Sequence, residues 1–327
     1  MSCWKSWKAS KVYSVARESY AVSLVALLTA FAAATLAPMA AAQASKSTPF
    51  VAIGVWYPAT VDIDAMRQDF RYIQASGFNA VLTSISWKDG EPRRGAYNLL
   101  NLDRVIAIAS EVGLRVHVDV LPEPEPSWKT DGTNALAGTF YEYVQKRVSV
   151  HPAVVGVNLQ GTNPPGPARL ATVGSGAGLL TMRQARVALW AAIAGGSRVF
   201  GFAGPTAPVS AEILALGEVA GVVTRNAALF SPLRPRPTPP GAVTVKGGLV
   251  SVDILDSANA IAIIAINRSS EVRKVTIAFP PDTPEAIWQN MEAGNAVHFV
   301  MSATGPVLEH TFAAEDVLVL AISRKLR

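Results

Sequence analysis

From residue 50 onward, short apolar runs alternate with longer stretches in which apolar positions return every three or four residues. That is how parallel strands joined by covering helices read. The pattern predicts strands at 50–57, 80–86, 115–121, 154–160 and 198–203, and helices at 62–76, 102–111, 140–150, 181–194 and 210–228. Asp62 is placed to cap the first helix; Gly77, Gly113 and the Gly195-Gly196 pair stop three of the five. Five βα units in about 180 residues are too few for a closed eight-stranded barrel, which needs about 200 to 250 residues. Either strands are missing, or some are hidden in the glycine- and proline-rich stretch 161–178.

The period then changes. Five of the nine residues at 232–240 are proline, which cannot continue a helix and forms a stiff extended connector. Beyond it apolar positions alternate with period two, as at Val275, Ile277 and Phe279, and β-rich runs appear at 249–254, 261–266 and 317–322. These runs suit a small antiparallel sandwich. The predicted architecture is α/β, an incomplete (β/α)8 TIM-barrel-like domain at 45–231, a linker at 232–240 and a C-terminal β-sandwich at 241–327.

The first 44 residues have a different logic. Lys5, Lys8, Lys11 and Arg17 precede an apolar, small-residue run at 21–36, followed by Ala40, Ala42 and Ala44. This is the pattern of a secretory signal cleaved after Ala42 or Ala44, and it predicts an exported protein, periplasmic or secreted. The run is shorter than the roughly 20 residues that span a bilayer, so no stable membrane insertion is expected after cleavage; a retained anchor is the alternative.

Removing the segment lowers the formal charge from +5 to +2 and takes away Cys3, the only cysteine. A nearly neutral mature chain gives no electrostatic reason to bind nucleic acid. It also has no disulfide, thiol nucleophile or thiolate metal site. His117, His151, His298 and His310 are scattered, so neither a metal site nor a cofactor is expected. The run Gly174-Ser175-Gly176-Ala177-Gly178 lacks a phosphate-loop lysine and reads as a connection.

One stretch carries a family resemblance. Gly77-Phe78-Asn79-Ala80-Val81, Trp87, Glu91-Pro92, Gly95, Tyr97 and Leu102-Asp103-Arg104-Val105, leading to Gly113-Leu114, resemble the second and third βα units of the family 42 and family 35 β-galactosidases. Trp56-Tyr57-Pro58 resembles that family's first strand, and Pro126-Ser127-Trp128 its loop after strand three. His151-Pro152-Ala153-Val154-Val155-Gly156 is similar to the run into strand four, and Leu189-Trp190 through Gly195-Gly196 to the helix before strand eight. The resemblance covers about 50–205. It implies a glycoside hydrolase that cleaves O-glycosidic bonds of an oligosaccharide or polysaccharide with two glutamates.

Neither glutamate is present. The acid/base position falls on Thr162, in Gly161-Thr162, and the nucleophile position on Asn158, in Asn158-Leu159-Gln160-Gly161. One segment thus matches two strands of the family, as though the strands between them had been lost. The remaining acids at a strand end are Asp119, Glu123 and Glu125, of which Glu123 and Glu125 are the candidate catalytic pair. In an extended chain their Cα atoms lie about 6.6 Å apart on one face. The opposing reading is a proline-stiffened rim loop. Trp56, Trp87, Glu91, Trp128 and Asn158 are the candidate substrate-binding residues, the indoles as platforms for sugar rings. Core packing for the tryptophans and loop closure for Glu91 are the alternatives; Trp190, on an apolar helix face, reads as core. Two functions stay open: a saccharide hydrolase, and a catalytically inactive remnant serving as a carbohydrate-binding or scaffold protein.

Overall fold

The computed structural model describes residues 50–58, 62–129, 135–159, 170–173, 181–202 and 211–324. The segment read as a secretory signal lies outside the described residues. Pro49 to Arg327 form one compact unit.

Six parallel strands make the first sheet: β1 (Ala52–Trp56), β2 (Ala80–Ser86), β3 (Arg115–Leu121), β4 (Val154–Leu159), β5 (Leu170–Val173) and β6 (Val199–Phe202), in the order β4-β3-β2-β1-β6-β5. Neighbours pair in parallel throughout. The sheet curls as part of a TIM barrel. Five of its strands were expected; β5 is the sixth, inside the glycine- and proline-rich stretch.

Local chemistry sets the helix ends. In α1 (Ile63–Ala75), Asp62 Oδ1 accepts from the backbone N–H of Asp64 and Ala65, and Met66, Phe70 and Ile73 are buried along one stripe. A one-turn helix, α2 (Trp87–Gly90), follows β2 directly and is capped by Ser86. In α3 (Leu100–Val112) the stop is Gly113, at φ 88°, a left-handed conformation that favours glycine. Then come α4 (Ala135–Val148), α5 (Met182–Ala194), α6 (Ala211–Arg225) and α7 (Ala227–Phe230).

Alternation along the strands separates two faces. Ile53, Val55, Val81, Val116, Val118, Val120, Phe200 and Phe202 join the core shared with the helices. Ala52, Ala80, Leu82 and Val199 form a separate cluster on the inner face, with Trp56 packed against it. Glycine is required there: a Cβ on Gly54 would lie 2.5 Å from the Ala80 carbonyl oxygen, and one on Gly201 2.6 Å from Leu82 Cδ2.

Beyond the barrel, β7 (Arg234–Pro235), β9 (Val250–Asp256), β10 (Ala260–Asn267), β12 (Trp288–Asn290), β13 (Ala296–Val297) and β16 (Asp316–Ser323) form one sheet, ordered β13-β12-β16-β10-β9-β7. The second sheet joins β8 (Thr244–Lys246), β11 (Arg273–Ala278), β14 (Val300–Ser302) and β15 (Gly305–Phe312) in the order β14-β15-β11-β8. Pairing is antiparallel, as a sandwich requires. Within the proline-rich stretch read as a linker, Arg234–Pro235 pairs with β9 at the sheet edge, where a proline's missing N–H is tolerated.

All eight residues of β10 are buried, because both faces of its sheet are covered. Ile261, Ile263 and Ala265 face the second sheet's Val275, Ile277 and Phe312. Ala262, Ile264, Ile266, Val317 and Val319 join the barrel core with Trp190, Phe230 and Leu233. The seam carries a charge network. Arg186 on α5 donates to both carboxylate oxygens of Glu292, to Asp316 Oδ1 and to the Val317 carbonyl, and Trp190 Nε1 donates to Glu292 Oε1. No described helix is long and apolar enough to cross a membrane.

Candidate functional site

In a TIM-barrel-like fold the site is built where the strands end, from side chains aimed inward and from the following loops. Lateral register defines that inner face. Leu82 on β2 pairs with His117 on β3, which pairs with Gly156 on β4. One level nearer the strand ends, Ser84, Asp119 and Asn158 lie abreast on the same three strands.

His117 and Asp119 are buried, and His117 Nε2 lies 3.2 Å from Asp119 Oδ1. A Cβ on Gly156 would lie 2.8 Å from His117 Nδ1, so glycine makes room for the ring. His117 Nδ1, Asn158 Oδ1 and Trp56 Nε1 are buried without a hydrogen-bond partner among the described residues. Buried polar atoms normally find partners, so these three are available to one.

A cleft of about 680 Å³ opens beside this row. Ser84, Ser86 and Leu121 at the strand ends line it, with Asp89, Asn98, Asn101 and Ser127 from the following loops and α3. Its polar lining is mostly hydroxyl and amide, with one opposite-charge couple of residues, Lys88 and Asp89. Among the described residues, no group of three or more histidine, cysteine or carboxylate side chains is placed to hold a metal ion.

The candidates from sequence take different places. Trp56 stands half-buried at the end of β1 on the inner face, beside Gly201, and Asn158, one residue before the end of β4, pairs with Asp119. Trp87 is fully buried: its Nε1 donates to Glu91 Oε2 at 2.8 Å, and its ring meets Trp128 edge-on with centroids 5.8 Å apart. Lys129 Nζ lies 5.5 Å from the Trp87 ring centre. No face of that indole is free for a sugar, so Trp87 is a core residue and not a platform.

Glu91 is likewise removed from the binding set. Its Oε1 accepts from the Gly95 N–H at 2.7 Å while Oε2 holds Trp87, so the carboxylate ties the loop after β2. Trp128 is half-buried and donates its indole N–H to the Glu91 carbonyl. Glu123 and Glu125 are exposed on the loop after β3, and Glu125 Oε1 accepts from Lys129 Nζ. The family's acid/base position, Thr162, lies outside the described residues.

Sequence reasoning passed over His117 and Ser84. The signal was available: in Val116-His117-Val118-Asp119-Val120 every polar residue falls between valines, so both polar side chains must share the face opposite the helices.

Comparisons with known proteins agree with this architecture. Residues 55–134 match the model of glycoside hydrolase family 42, described as Beta-galactosidase. Comparison with curated protein sequences finds no match. A maltogenic α-amylase from Thermotoga neapolitana superposes with a TM-score of 0.54 at 11% identity, covering 86% of this chain and 100% of that one. An α-amylase from Geobacillus thermoleovorans gives 0.54 at 10% identity, over 84% and 98%. An α-fucosidase from Thermotoga maritima gives 0.51 at 13% identity, over 79% and 78%. At these identities the structures speak for the fold alone; with the family match they relate the chain to the barrel glycoside hydrolases, and it resembles family 42 among them.

Proposed function

We propose that the mature chain is a saccharide-binding protein on a glycoside hydrolase barrel, working outside the cytoplasm, which holds an oligosaccharide or polysaccharide without cleaving it. The observation that carries this reading is the distribution of acids at the strand ends. Glycosidases place two carboxyl groups on either side of the scissile bond, about 5 to 5.5 Å apart when retaining and about 6.5 to 9.5 Å when inverting.

In the sequence, the segments that follow β1, β2 and β3 carry Asp62, Asp89, Glu91, Glu123, Glu125 and Asp131, β3 itself carries Asp119, and Glu212 is the second residue of α6. Several already have structural work. Asp62 caps α1, Glu91 ties its loop, Asp119 pairs with His117 and Glu125 with Lys129. On the other side, Asn158 is the last inward residue of β4, and the sequences 160–169, 174–180 and 203–210 contain no Asp or Glu. Strands β1, β4, β5 and β6 themselves carry no carboxylate to face Asp119, and a neutral amide cannot act as the nucleophile. A hydrolytic reading would have to rest on Glu123 and Glu125, two residues of one exposed loop.

The cleft and the polar inner face support binding, since the hydroxyl and amide groups of Ser84, Ser86, Asn98, Asn101 and Ser127, beside one lysine and one aspartate, suit the hydroxyls of a sugar. Isothermal titration calorimetry of the secreted protein with lactose, cellobiose and maltose tests the reading, with monosaccharide release followed in the same samples. Saturable binding without release is expected. Binding of none of the three, or release well above the buffer rate, overturns it.

A further inference from the structure

Resting on that reading, we infer that this chain recognises its saccharide by two neighbouring hydroxyl donors, a vicinal diol, received by the Asp119 carboxylate and Asn158 Oδ1 with Ser84 at the entrance. The three residues come from adjacent strands and stand abreast, Ser84 paired with Asp119 and Asp119 with Asn158. Neighbouring strands lie about 4.7 to 4.9 Å apart, so side chains abreast on them are within reach of two oxygens on adjacent ring carbons.

The chemistry of the row selects donors. Asn158 Oδ1 is buried with no partner, which makes it an acceptor in want of a hydrogen. Asp119 is acceptor-only when ionised, and among the described residues its one hydrogen-bonding partner is His117, at Oδ1. Its other oxygen is left for the ligand. His117, 3% exposed at its side chain, fixes the orientation of that carboxylate and serves as a positioning residue.

Access comes through Ser84, which is exposed and belongs both to this row and to the wall of the cleft. The Asp119 carboxylate disfavours an anionic sugar at this point, because like charges would be brought together in a buried site. The ligand is therefore an uncharged sugar that presents adjacent hydroxyls. Aromatic stacking, expected of Trp87, has no part in it, since that ring is enclosed.

Calorimetry with lactose, cellobiose and maltose on the full mature chain tests this, using the wild type and the variants Ser84→Ala, Asp119→Asn and Asn158→Leu. Fully O-methylated disaccharides, which keep the ring but donate no hydrogen bond, are run beside them. Asp119→Asn and Asn158→Leu should weaken binding about tenfold or more, as expected for a lost hydrogen bond to a charged or buried group, with melting temperatures unchanged. The methylated sugars should not bind. Folded variants that bind like the wild type would overturn the row while leaving saccharide binding intact. Methylated sugars that bind as well as free ones would overturn donor recognition in favour of stacking. No binding of any free sugar by the wild type would sink the function proposed above and this inference with it. Should the buried variants lose their fold, the exposed Ser84→Ala decides, with a measurable loss of affinity expected and none overturning the entrance.

Discussion

Replacing Arg186 by methionine removes the guanidinium at the seam between barrel and sandwich while keeping much of the aliphatic stem. Glu292 and Asp316 would then face each other without their shared cation. Breaking a buried ion pair by removing one partner costs about 3 to 5 kcal/mol. Here the side chains keep between 16% and 25% of their surface, which places the cost at the lower end, about 3 kcal/mol. Unfolding entropy grows by about 2.1 cal/mol/K per residue, so a unit running from Pro49 to Arg327 should melt about 5 °C lower.

The same variant has a pH signature. Burial alone would raise the Asp316 pKa, but hydrogen bonds from Arg186 and from the Ala313 and Val317 backbone N–H groups outweigh it and hold the carboxyl below its usual range. A lowered folded-state pKa contributes stability that is complete above the unfolded value, about 4, and is lost as pH falls through the folded value. The gap in melting temperature between parent and Arg186→Met should therefore be widest at neutral pH and narrow in acid below about pH 4. Differential scanning calorimetry at pH 7 and pH 3 reads both quantities. Equal melting at pH 7, or a gap indifferent to pH, would refute the assignment of the network as the lock between the two parts.

Two further outcomes follow from the packing. Glu91→Ala strands the buried Trp87 indole N–H and releases the exposed Gly95 N–H to water, and should cost about 1 to 3 kcal/mol in urea unfolding, with little change in sugar affinity of the folded fraction; a large affinity loss at unchanged stability would return Glu91 to the binding set. A fragment ending at residue 231 uncovers the barrel residues that share a core with Ala262, Ile264, Val317 and Val319, so it should bind a hydrophobic dye and show no cooperative melt; a sharp transition would make the barrel self-sufficient.

Much of this fold could be read from the chain because its signals are local. Asp62 caps the first helix, Gly113 ends the third, and five of the parallel strands fall where apolar runs predict them. β5 could not be read: four residues in a glycine- and proline-rich stretch become a strand only by pairing with β6, a partner more than 25 residues away. Helix α4 begins five residues before the expected start at 140, since Gly138 interrupts its period. At the site, position along the chain misled. Trp87 follows a strand end, where a sugar platform belongs, yet the one-turn helix α2 turns its indole into the core against Trp128. Asn158 and Trp56, by contrast, lie on the inner face that alternation assigns them.

Whether this barrel holds a sugar without cutting it can be read from turnover of an activated substrate. Loss of a catalytic acid or base typically costs about 10² to 10⁴ in rate, and loss of the nucleophile removes the covalent route as well. The measurement is release of dinitrophenol from a dinitrophenyl β-galactoside, whose leaving group needs no acid, by the purified protein in excess of substrate. Release at the rate of buffer alone is the predicted result. Clear turnover that disappears in Glu123→Gln or Glu125→Gln would contradict the account and make the loop after β3 the seat of catalysis.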